Sequence, residues 1–376
     1  MSELQDYREK IDRIDTEIVR LFEQRMKVSE AVAQYKIRTG MQVLDAVRES
    51  QKIAQVVKKA NGEFNKRGIR ELFTQIMAIS RKKQYQILTA NGCGNEDGFA
   101  AADSLPMSGK KVVFQGVEGA YSYAAMMEYF GEDITGCHVR TWRDAMEEVA
   151  HGDADYAVLP IENSTAGIVA DIYDLLMQYE LYIVGEQILK VEHVLLGLPK
   201  AALKDIRIVC SHPQGLAQCK EYLSEHPSWE RKEMENTAGA AKYVSERKDM
   251  SWAAIASRQA GKLYGLSVLA ENICSNETNE TRFIIVSSKA LHIKDGKKVS
   301  ICFELNHESG TLYNMLSHII YNGLNMTRIE SRPIPGKTWE YRFFVDFEGQ
   351  LKDSPVMNAI RGMRAEANDF RILGNY

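Results

Sequence analysis

A polar stretch that turns into an apolar strand, Asn276 to Ser288, holds residue types suited to acid-assisted chemistry. Thr281 and Arg282 stand where the polar run meets the strand. Ligands of open α/β sheets bind at strand ends, so a hydroxyl donor and a cation there suit a small anionic substrate whose departing oxygen needs a proton. Taken alone, the two residues favour an ordinary loop with a surface ion pair, and the other motifs of the chain change that balance.

The N-terminal part of the chain has the pattern of three helices. Apolar residues recur at intervals of three and four between Leu4 and Tyr35, which predicts one long amphipathic helix. Two further helices are predicted at about 44–59 and 66–88, separated by an Asn-Gly pair that is typical of a helix end.

Polar residues occupy positions on these helices where apolar ones are expected. A buried cation is costly unless an anion meets it. Each such residue alone is more simply a solvated charge or a capping hydroxyl, but together they predict a cationic pocket inside a helical bundle. The set is Arg25, Lys36, Ser80 and Gln84. The helical repeat also places Asp45, Arg48 and Glu49 on one face of the second helix.

The spacing along the first helix bears on assembly. Arg25 and Lys36 lie roughly 16 Å apart at about 1.5 Å per residue, so two long side chains can share one ligand. Arg8 lies roughly 25 Å before Arg25 by the same rise and cannot reach that ligand. If Arg8 binds substrate, it does so in a second subunit, and we therefore expect a homodimer.

The bulk composition is that of an ordinary globular protein. A chain of 376 residues predicts two or three domains. A net charge of -4 gives no support for binding to nucleic acid or to a membrane surface. The six cysteines, Cys93 among them, show no metal-ligand spacing, so we expect reduced thiols, no metal and no cofactor. A charged N-terminal sequence without an apolar signal core predicts a cytoplasmic protein.

The central region alternates strand and helix patterns in two successive lobes. Residues 91–108 lack periodicity and predict a flexible connector. The strand KVVFQGV opens one α/β unit, and the pattern restarts at RIVCSHPQ, which indicates a second lobe. The strand in NETRFIIVSS would return the chain to the first lobe and leave polar loops facing a cleft, where ligands commonly bind. His212, which precedes a proline, is expected to end a strand rather than act as a base.

The helical segment resembles the all-helical chorismate mutases over its whole length. The resemblance lies in YREKID, FEQRMKV, VAQYK, LDAVRES and ISRKKQ. It implies a chorismate site shared between intertwined subunits. The implied site residues are Arg8, Arg25, Lys36, Asp45, Arg48, Glu49, Ser80 and Gln84.

The rearrangement of chorismate to prephenate fits that set of residues. The substrate is a dicarboxylate whose ether bond lengthens in the transition state, so that the ether oxygen gains negative charge. Arginines can hold the carboxylates in the reactive geometry. Lys36 and Gln84 would donate to the ether oxygen, and Glu49 would accept from the substrate hydroxyl. These three are the expected catalytic residues of the step.

The central motifs FQGVEGAYS, PIENSTAG, SHPQGLAQC, NTAGAA, AAIAS and NETRF together resemble the prephenate dehydratases. The resemblance implies that Thr281 is the principal catalytic hydroxyl. Prephenate loses carbon dioxide and its ring hydroxyl together, and the new aromatic ring supplies the driving force, so a hydrogen bond to the departing hydroxyl suffices. The implied prephenate-binding residues are Ser122, Asn163, Ser164, Gln214, Thr237, Thr281, Arg282 and Phe283.

The segment from Lys297 shows the ferredoxin-like order βαββαβ. It resembles the ACT regulatory module, which in dehydratases senses phenylalanine at subunit interfaces. The resemblance implies allosteric inhibition by L-phenylalanine. The motif residues are Gly310, Thr311, Leu312, Glu330, Ser331, Arg332 and Pro333.

The combined expectation is a multidomain α and α/β enzyme that makes prephenate and then phenylpyruvate for phenylalanine synthesis, as a homodimer or a higher oligomer. One alternative is a dehydratase whose helical segment only dimerises, and another is a two-lobed small-molecule binding protein. The expected domains are a helical chorismate mutase domain (1–90), a linker (91–108), a two-lobed, periplasmic-binding-protein-like α/β dehydratase domain (109–290, with lobes at 109–190 plus 271–290 and at 191–270), and an ACT domain (297–376).

Overall fold

The computed structural model describes residues 3–92, 98–276 and 278–376. Cys93, and Glu277 in the stretch discussed first, lie outside the described residues. The chain forms two compact units, one from residues 1–98 and 297–372 and the other from 99–296 and 373–376. Within the described ranges, no helix combines the length and the apolar character needed to cross a membrane.

Three helices begin the first unit, as predicted: α1 (Glu3–Thr39), α2 (Ala46–Val57) and α3 (Glu63–Ala90). Acidic residues in the first turn of α1 and basic residues in its last turn suit the helix dipole. The helix stops at Gly40, which adopts a left-handed φ of 68°. Asp45 caps α2, because its carboxylate accepts a hydrogen bond of 2.9 Å from the backbone N–H of Arg48.

The second unit is built from strands and short helices. In chain order these are β1 (Ala100–Ala102), β2 (Lys110–Gln115), α4 (Tyr121–Phe130), β3 (Ile134–Val139), α5 (Trp142–His151), β4 (Tyr156–Asn163), β5 (Gly167–Ile168), α6 (Ala170–Tyr179), β6 (Tyr182–Lys190), β7 (His193–Gly197), β8 (Ile208–Ser211), α7 (Pro213–Gln218), α8 (Lys220–Ser224), β9 (Glu230–Glu233), α9 (Thr237–Arg247), β10 (Trp252–Ser257), α10 (Arg258–Leu263), β11 (Ser267–Ala270), β12 (Glu280–Ser287) and β13 (Leu291–Ile293).

Two sheets organise this second unit. One has the strand order β6-β12-β4-β2-β3, with β5 beside β4, and the other has the order β11-β7-β10-β8-β9. Buried aromatic residues such as Phe114 and Phe283 belong to the core of the first sheet, whereas Ala-rich helix α9 packs on the second. The chain leaves the first sheet after β6 and returns through β12, which places the start of β12 beside the end of β4.

The predicted flexible connector at 91–108 is partly ordered, and the expectation is wrong at three residues. Ala100–Ala102 form strand β1, which pairs in parallel with Leu291–Ile293. Three alanines give no alternation of apolar and polar side chains, so the strand depends on its partner rather than on a local pattern.

The C-terminal elements follow the predicted βαββαβ order. They are β14 (Lys298–Glu304), α11 (Thr311–Tyr321), β15 (Met326–Pro333), β16 (Tyr341–Glu348), α12 (Ser354–Glu366) and β17 (Asp369–Asn375). The strands lie in the order β15-β16-β14-β17. Within the first unit, α11 and α12 pack against each other and against α3.

Candidate functional sites

A polar pocket of about 430 Å³ lies among α1, α2 and α3. It collects every predicted chorismate-binding residue except Arg8, together with Ser29 and Lys52, which the sequence patterns did not single out. The predicted residues that line it are Arg25, Lys36, Asp45, Arg48, Glu49, Ser80 and Gln84.

Arg25 reaches from α1 to α3. Its guanidinium donates to the hydroxyl of Ser80 and, at 3.4 Å, to the carbonyl of Ile76. Burial lowers the pKa of Arg25, and the charge of Glu49 partly opposes that effect. The side chain therefore keeps its positive charge in the pocket while part of its hydration is lost, which strengthens its attraction for an anion.

Lys36 stands at the other end of the pocket. Its ammonium group donates to the carbonyl of Val43 at 2.6 Å. Burial lowers the pKa of Lys36, whereas the nearby carboxylates of Asp45 and Glu49 raise it and Arg48 lowers it further. The group is a cation that is placed to act as a hydrogen-bond donor.

Gln84 is buried on α3, only 7% exposed. Its amide nitrogen donates to the carbonyl of Ser80 at 3.3 Å, and its Oε1 has no hydrogen-bond partner among the described residues. An unsatisfied buried amide is costly, so the side chain is well suited to meet a polar ligand in the pocket.

Arg8 does not line this pocket, in agreement with the distance along the helix. It is exposed on α1. The apolar face of the same helix is also uncovered, with Ile11, Ile14 and Ile18 each more than half exposed, at 56%, 59% and 54%.

A larger cleft of about 650 Å³ lies between the two sheets of the second unit. It gathers residues from the ends of β2 and β4, from the start of β12 and from the starts of several helices. The predicted residues that line it are Ser122, Asn163, Gln214, Thr237, Thr281 and Phe283.

Strand pairing places Thr281 of β12 directly opposite Asn163 of β4. The amide oxygen of Asn163 accepts from the backbone N–H groups of Thr165 and Ala166 at 3.0 and 2.8 Å, which fixes the orientation of the amide. Its nitrogen then donates to Oγ1 of Thr281 at 2.8 Å. Because the oxygen of Thr281 accepts this bond, its own proton remains available to a ligand in the cleft, and the accepted bond strengthens it as a donor.

Two predicted substrate residues, Ser164 and Arg282, do not line the cleft. Side chains alternate along a strand, so Arg282 points away from the face that carries Thr281 and contacts the carboxylates of Glu162 and Glu186 at 3.2 and 3.7 Å. Ser164 donates to the carbonyl of Thr278 and accepts from the backbone N–H of Glu280. Both residues hold the loop and strand that present Thr281.

The electrostatics of the cleft differ from those of the helical pocket. Among the described lining residues there is no Lys or Arg, and the ionisable acids are Asp171 and Glu235. The first residues of α4, α6 and α9 all line the cleft. Helix N-termini present unpaired backbone N–H groups and a positive dipole end, so the attraction for an anion comes from the backbone.

Comparison with known proteins identifies the family of the chain. Residues 7–85 match the family model described as chorismate mutase type II, and residues 112–291 match that described as prephenate dehydratase. A bifunctional chorismate mutase/prephenate dehydratase of Enterobacter agglomerans is 31% identical over 98% of this chain and 94% of that protein. The chain belongs to the bifunctional chorismate mutase/prephenate dehydratase family.

Two solved structures resemble about seven-tenths of the chain. The prephenate dehydratase of Arthrobacter aurescens in complex with L-Phe is 32% identical, with a TM-score of 0.66, and the match covers 71% of this chain and 89% of that one. A protein titled GqqA, a novel type of quorum quenching acylase, is 34% identical, with a TM-score of 0.65, over 70% and 97%.

Family membership decides between the interpretations that the sequence left open. The enzyme carries a helical mutase region and an α/β dehydratase region, and it catalyses both the chorismate mutase and the prephenate dehydratase reactions. A match to the mutase model along almost the whole helical segment supports this interpretation over a dehydratase with a purely dimerising segment.

Of the residues predicted to bind phenylalanine, one group lines a pocket and the other group does not. A pocket of about 290 Å³ is lined by Gly310, Thr311 and Leu312, whereas Glu330 to Pro333 lie on β15 and are not among its lining residues. The hydroxyl of Thr311 donates within the preceding loop, with the carbonyls of Asn306 and Glu308 at 3.1 and 3.0 Å. Strand β15 pairs with β16, and Phe343 of β16 lines the pocket.

His193 is a cleft residue that sequence reasoning missed. It is 3% exposed, with Nδ1 at 3.0 Å from the hydroxyl of Tyr121 and Nε2 at 2.7 Å from Oε1 of Gln218. Burial lowers the pKa of His193, which keeps the ring neutral near pH 7. A lone histidine before an apolar strand carries no signal of this role, because its partners come from two other elements.

Proposed function

We propose that the pocket of the helical bundle is the mutase site and that the cleft between the two sheets is the dehydratase site. The observation that supports this most strongly is the convergence of the predicted residues, which are distant in sequence, on two separate cavities. Each cavity has the chemistry that its reaction needs.

In the mutase step, Arg25 and Arg48 bind the carboxylates of chorismate, with Arg8 from a second copy of the chain. Lys36 donates to the ether oxygen as it gains charge, and Gln84 does so through the N–H of its amide nitrogen that Ser80 does not use, which lowers the barrier. Glu49 accepts from the substrate hydroxyl. The chain itself supplies no acid, base or covalent intermediate in this step, since bonds rearrange within one molecule.

The shared mutase site requires a homodimer. The exposed apolar residues of α1 support this assembly, because an apolar face of this kind is normally buried against another protein surface rather than left in contact with water. The distance between Arg8 and Arg25 supports it independently, since one chain cannot bring both residues to one ligand.

In the dehydratase step, prephenate lies against Thr281 with its ring hydroxyl toward the Oγ1 proton. The leaving hydroxyl takes up one proton from the solvent and departs as water, while the ring carboxylate leaves as carbon dioxide and the electron pair of the broken C–C bond completes the aromatic ring. Thr281 contributes a hydrogen bond to the departing oxygen, and Asn163 holds Thr281 in place. Gln214 and Thr237, with Ser122, orient the carboxylates near the helix N-termini.

An assay of single-site variants tests the assignment of two sites. The full-length enzyme is incubated with chorismate, and prephenate and phenylpyruvate are both followed. Lys36→Met should make neither product from chorismate but should convert added prephenate. Thr281→Ala should accumulate prephenate. Parallel loss of both activities in either variant would contradict two independent sites, and Arg140→Met, at a side chain that is 86% exposed, serves as the control outside both cavities.

The C-terminal βαββαβ module acts, in this proposal, as an ACT module that binds L-phenylalanine and lowers dehydratase activity. The pocket at Gly310 to Leu312 supports it, as does the complex of the related dehydratase with L-Phe. Dehydratase rates with saturating L-phenylalanine should fall relative to those with L-alanine. Identical rates in the two solutions would refute the regulatory role.

A further inference from the structure

Arg81 is a buried cation directly behind the mutase pocket. It follows Ser80 on α3, its side chain is only 10% exposed, and it is not among the residues that line the pocket. Neither the periodicity of α3 nor the mutase motif assigns it a role. A guanidinium so far from water needs anionic partners.

Two carboxylates from distant parts of the chain meet this guanidinium. Its Nη1 donates to Oε2 of Glu49 on α2, which lines the mutase pocket. Its Nε donates to Oε1 of Glu366, at the end of α12, at 2.9 Å. The Arg81 side chain therefore connects the mutase pocket with the C-terminal module inside the first unit.

Glu366 is itself held on its other side. Nε2 of His318 on α11 lies 3.1 Å from the same Oε1 atom, and the side chain of His318 is 2% exposed. Burial alone raises the pKa of Glu366, but the hydrogen bond from His318 and the charge of Arg81 outweigh burial and lower it. Glu366 is therefore an ionised partner in a fixed position.

The contact between α3 and the C-terminal helices has a second, separate point. Lys82 donates from Nζ to the hydroxyl of Ser317 at 2.8 Å and lies 5.2 Å from the centre of the Tyr321 ring. It does not touch Glu49. Lys82 thus offers a matched control, because its loss weakens the same helix contact without releasing the pocket carboxylate.

The charges inside the pocket explain why Glu49 needs a partner behind it. The negative charge of Glu49 raises the pKa of both Arg25 and Lys36. Glu49 is therefore close enough to be attracted by the cations that should bind the substrate. A carboxylate released from Arg81 would move toward them and compete with the substrate. Held by Arg81 through one oxygen, Glu49 keeps its other oxygen for a ligand.

We propose that Arg81 is a positioning residue of the mutase reaction, which holds Glu49 at the edge of the pocket and is itself anchored by Glu366 of the C-terminal module. The inference rests on the role of Glu49 proposed above. It makes the C-terminal module a structural support of the mutase site, in addition to any ligand that the module binds.

A double-mutant cycle tests this proposal on the full-length enzyme. Arg81→Met should lower the mutase kcat/KM by about 10- to 100-fold, because a displaced catalytic group is costly. The KM should rise, because the released Glu49 competes with chorismate for the cations of the pocket. In a Glu49→Gln background, the same substitution should cost less than about 3-fold, since the interaction has already been removed. Arg81→Lys should recover part of the loss through its single ammonium. Dehydratase activity should stay unchanged in all variants.

Further variants separate positioning from simple packing. Glu366→Gln should lower mutase kcat/KM by about 3- to 10-fold in the wild-type background and have little effect once Arg81 is Met. Lys82→Met should leave it unchanged. An equal loss from Arg81→Met in both backgrounds, or from Lys82→Met, would overturn the proposal. If Arg81→Met is fully active while Glu49→Gln is impaired, the positioning role of Arg81 fails and the mutase role of Glu49 stands. If Glu49→Gln is fully active, the mutase role of Glu49 itself fails.

Discussion

In the mutase pocket the proposed donors Arg25 and Lys36 are cations on long side chains, whereas in the dehydratase cleft the proposed donor Thr281 is a neutral hydroxyl on a short side chain. Arg25 and Lys36 reach across a helical bundle, and their positions depend on contacts with other helices. Thr281 and Asn163 are placed by strand pairing and by two backbone N–H groups. In the first site Glu49 is also held from outside the pocket by Arg81, whereas the second site carries its support within the sheet.

The chemistry of the two reactions explains the difference. The rearrangement of chorismate moves charge onto an ether oxygen, and fixed cations stabilise such charge best where water is limited. Loss of water and carbon dioxide from prephenate is driven by the aromatic ring that forms, so a neutral donor is sufficient. A strong cation beside the ring carboxylate would hold back the departing carbon dioxide, and the described lining of the cleft has neither Lys nor Arg.

Among the variants that test this difference between the two sites, Thr281→Ala should have the largest effect, which is on the dehydratase kcat. Removing the hydroxyl should lower the dehydratase kcat by about 100- to 1,000-fold, the range found when one preorganised donor is lost. Thr281→Ser keeps the donor and should stay within about 10-fold of the wild type. Steady-state rates on prephenate measure both, and the mutase rate checks folding. An alanine variant with most of its dehydratase kcat would show that the hydroxyl is not the donor.

Mixed dimers test whether the mutase pocket is completed by a second chain. Arg8→Ala and Arg25→Ala should each lose most mutase activity, since each defect then occurs in both sites of a dimer. After unfolding and refolding of an equal mixture, half the dimers are mixed and each holds one intact site, so about a quarter of the wild-type activity should return. No recovery would mean that both arginines act on one ligand from the same chain, and full activity of Arg8→Ala by itself would mean that Arg8 does not act.

The sequence predicts the helices and strands and most residues of the two candidate sites, but it does not predict which way each side chain points. Helices α1 to α3 and the C-terminal βαββαβ order follow from apolar periodicity, because each element buries one face. The polar residues that break the periodicity of α1 and α3 do gather in one pocket. Thr281 and Arg282 are adjacent on a strand and so cannot both face one cleft, a constraint that the motif alone hides.

Residues whose partners are distant in sequence could not be predicted in the same way. Arg81 looks like a solvated charge on α3, and only the packing of α12 shows that it is buried between two carboxylates. His193 likewise gains its surroundings from Tyr121 and Gln218, which lie on other elements. Local patterns record the face of a helix or strand, whereas these contacts arise from tertiary structure.

Lys36 should give the mutase pocket an alkaline limit that the cleft lacks. Burial lowers the pKa of Lys36 below the ordinary lysine value of 10.5. The protonated form is the donor, so mutase kcat/KM should fall as the pH rises through this lowered pKa. Lys36→Arg should be slower at neutral pH but should keep its remaining activity into the alkaline range, because guanidinium stays protonated. The dehydratase rate at each pH checks that the protein is folded, and an unchanged alkaline limit in the variant would exclude Lys36 as its source.

Arg282→Met should give the smallest effect on catalysis and so tests whether the cleft works without a cation. The side chain is 14% exposed and contacts Glu162 and Glu186, so its removal should lower the free energy of unfolding by about 2 kcal/mol. The dehydratase kcat and KM should stay within about 3-fold of the wild type, because Thr281 faces the other side of the strand. Denaturant unfolding and prephenate kinetics measure the two quantities.

Arg140→Met is the control, since its side chain is 86% exposed and neither quantity should change. A loss of about 100-fold in kcat/KM without a loss of stability would instead place Arg282 on the substrate, and the contrast between a cationic pocket and a cleft without cations would no longer hold.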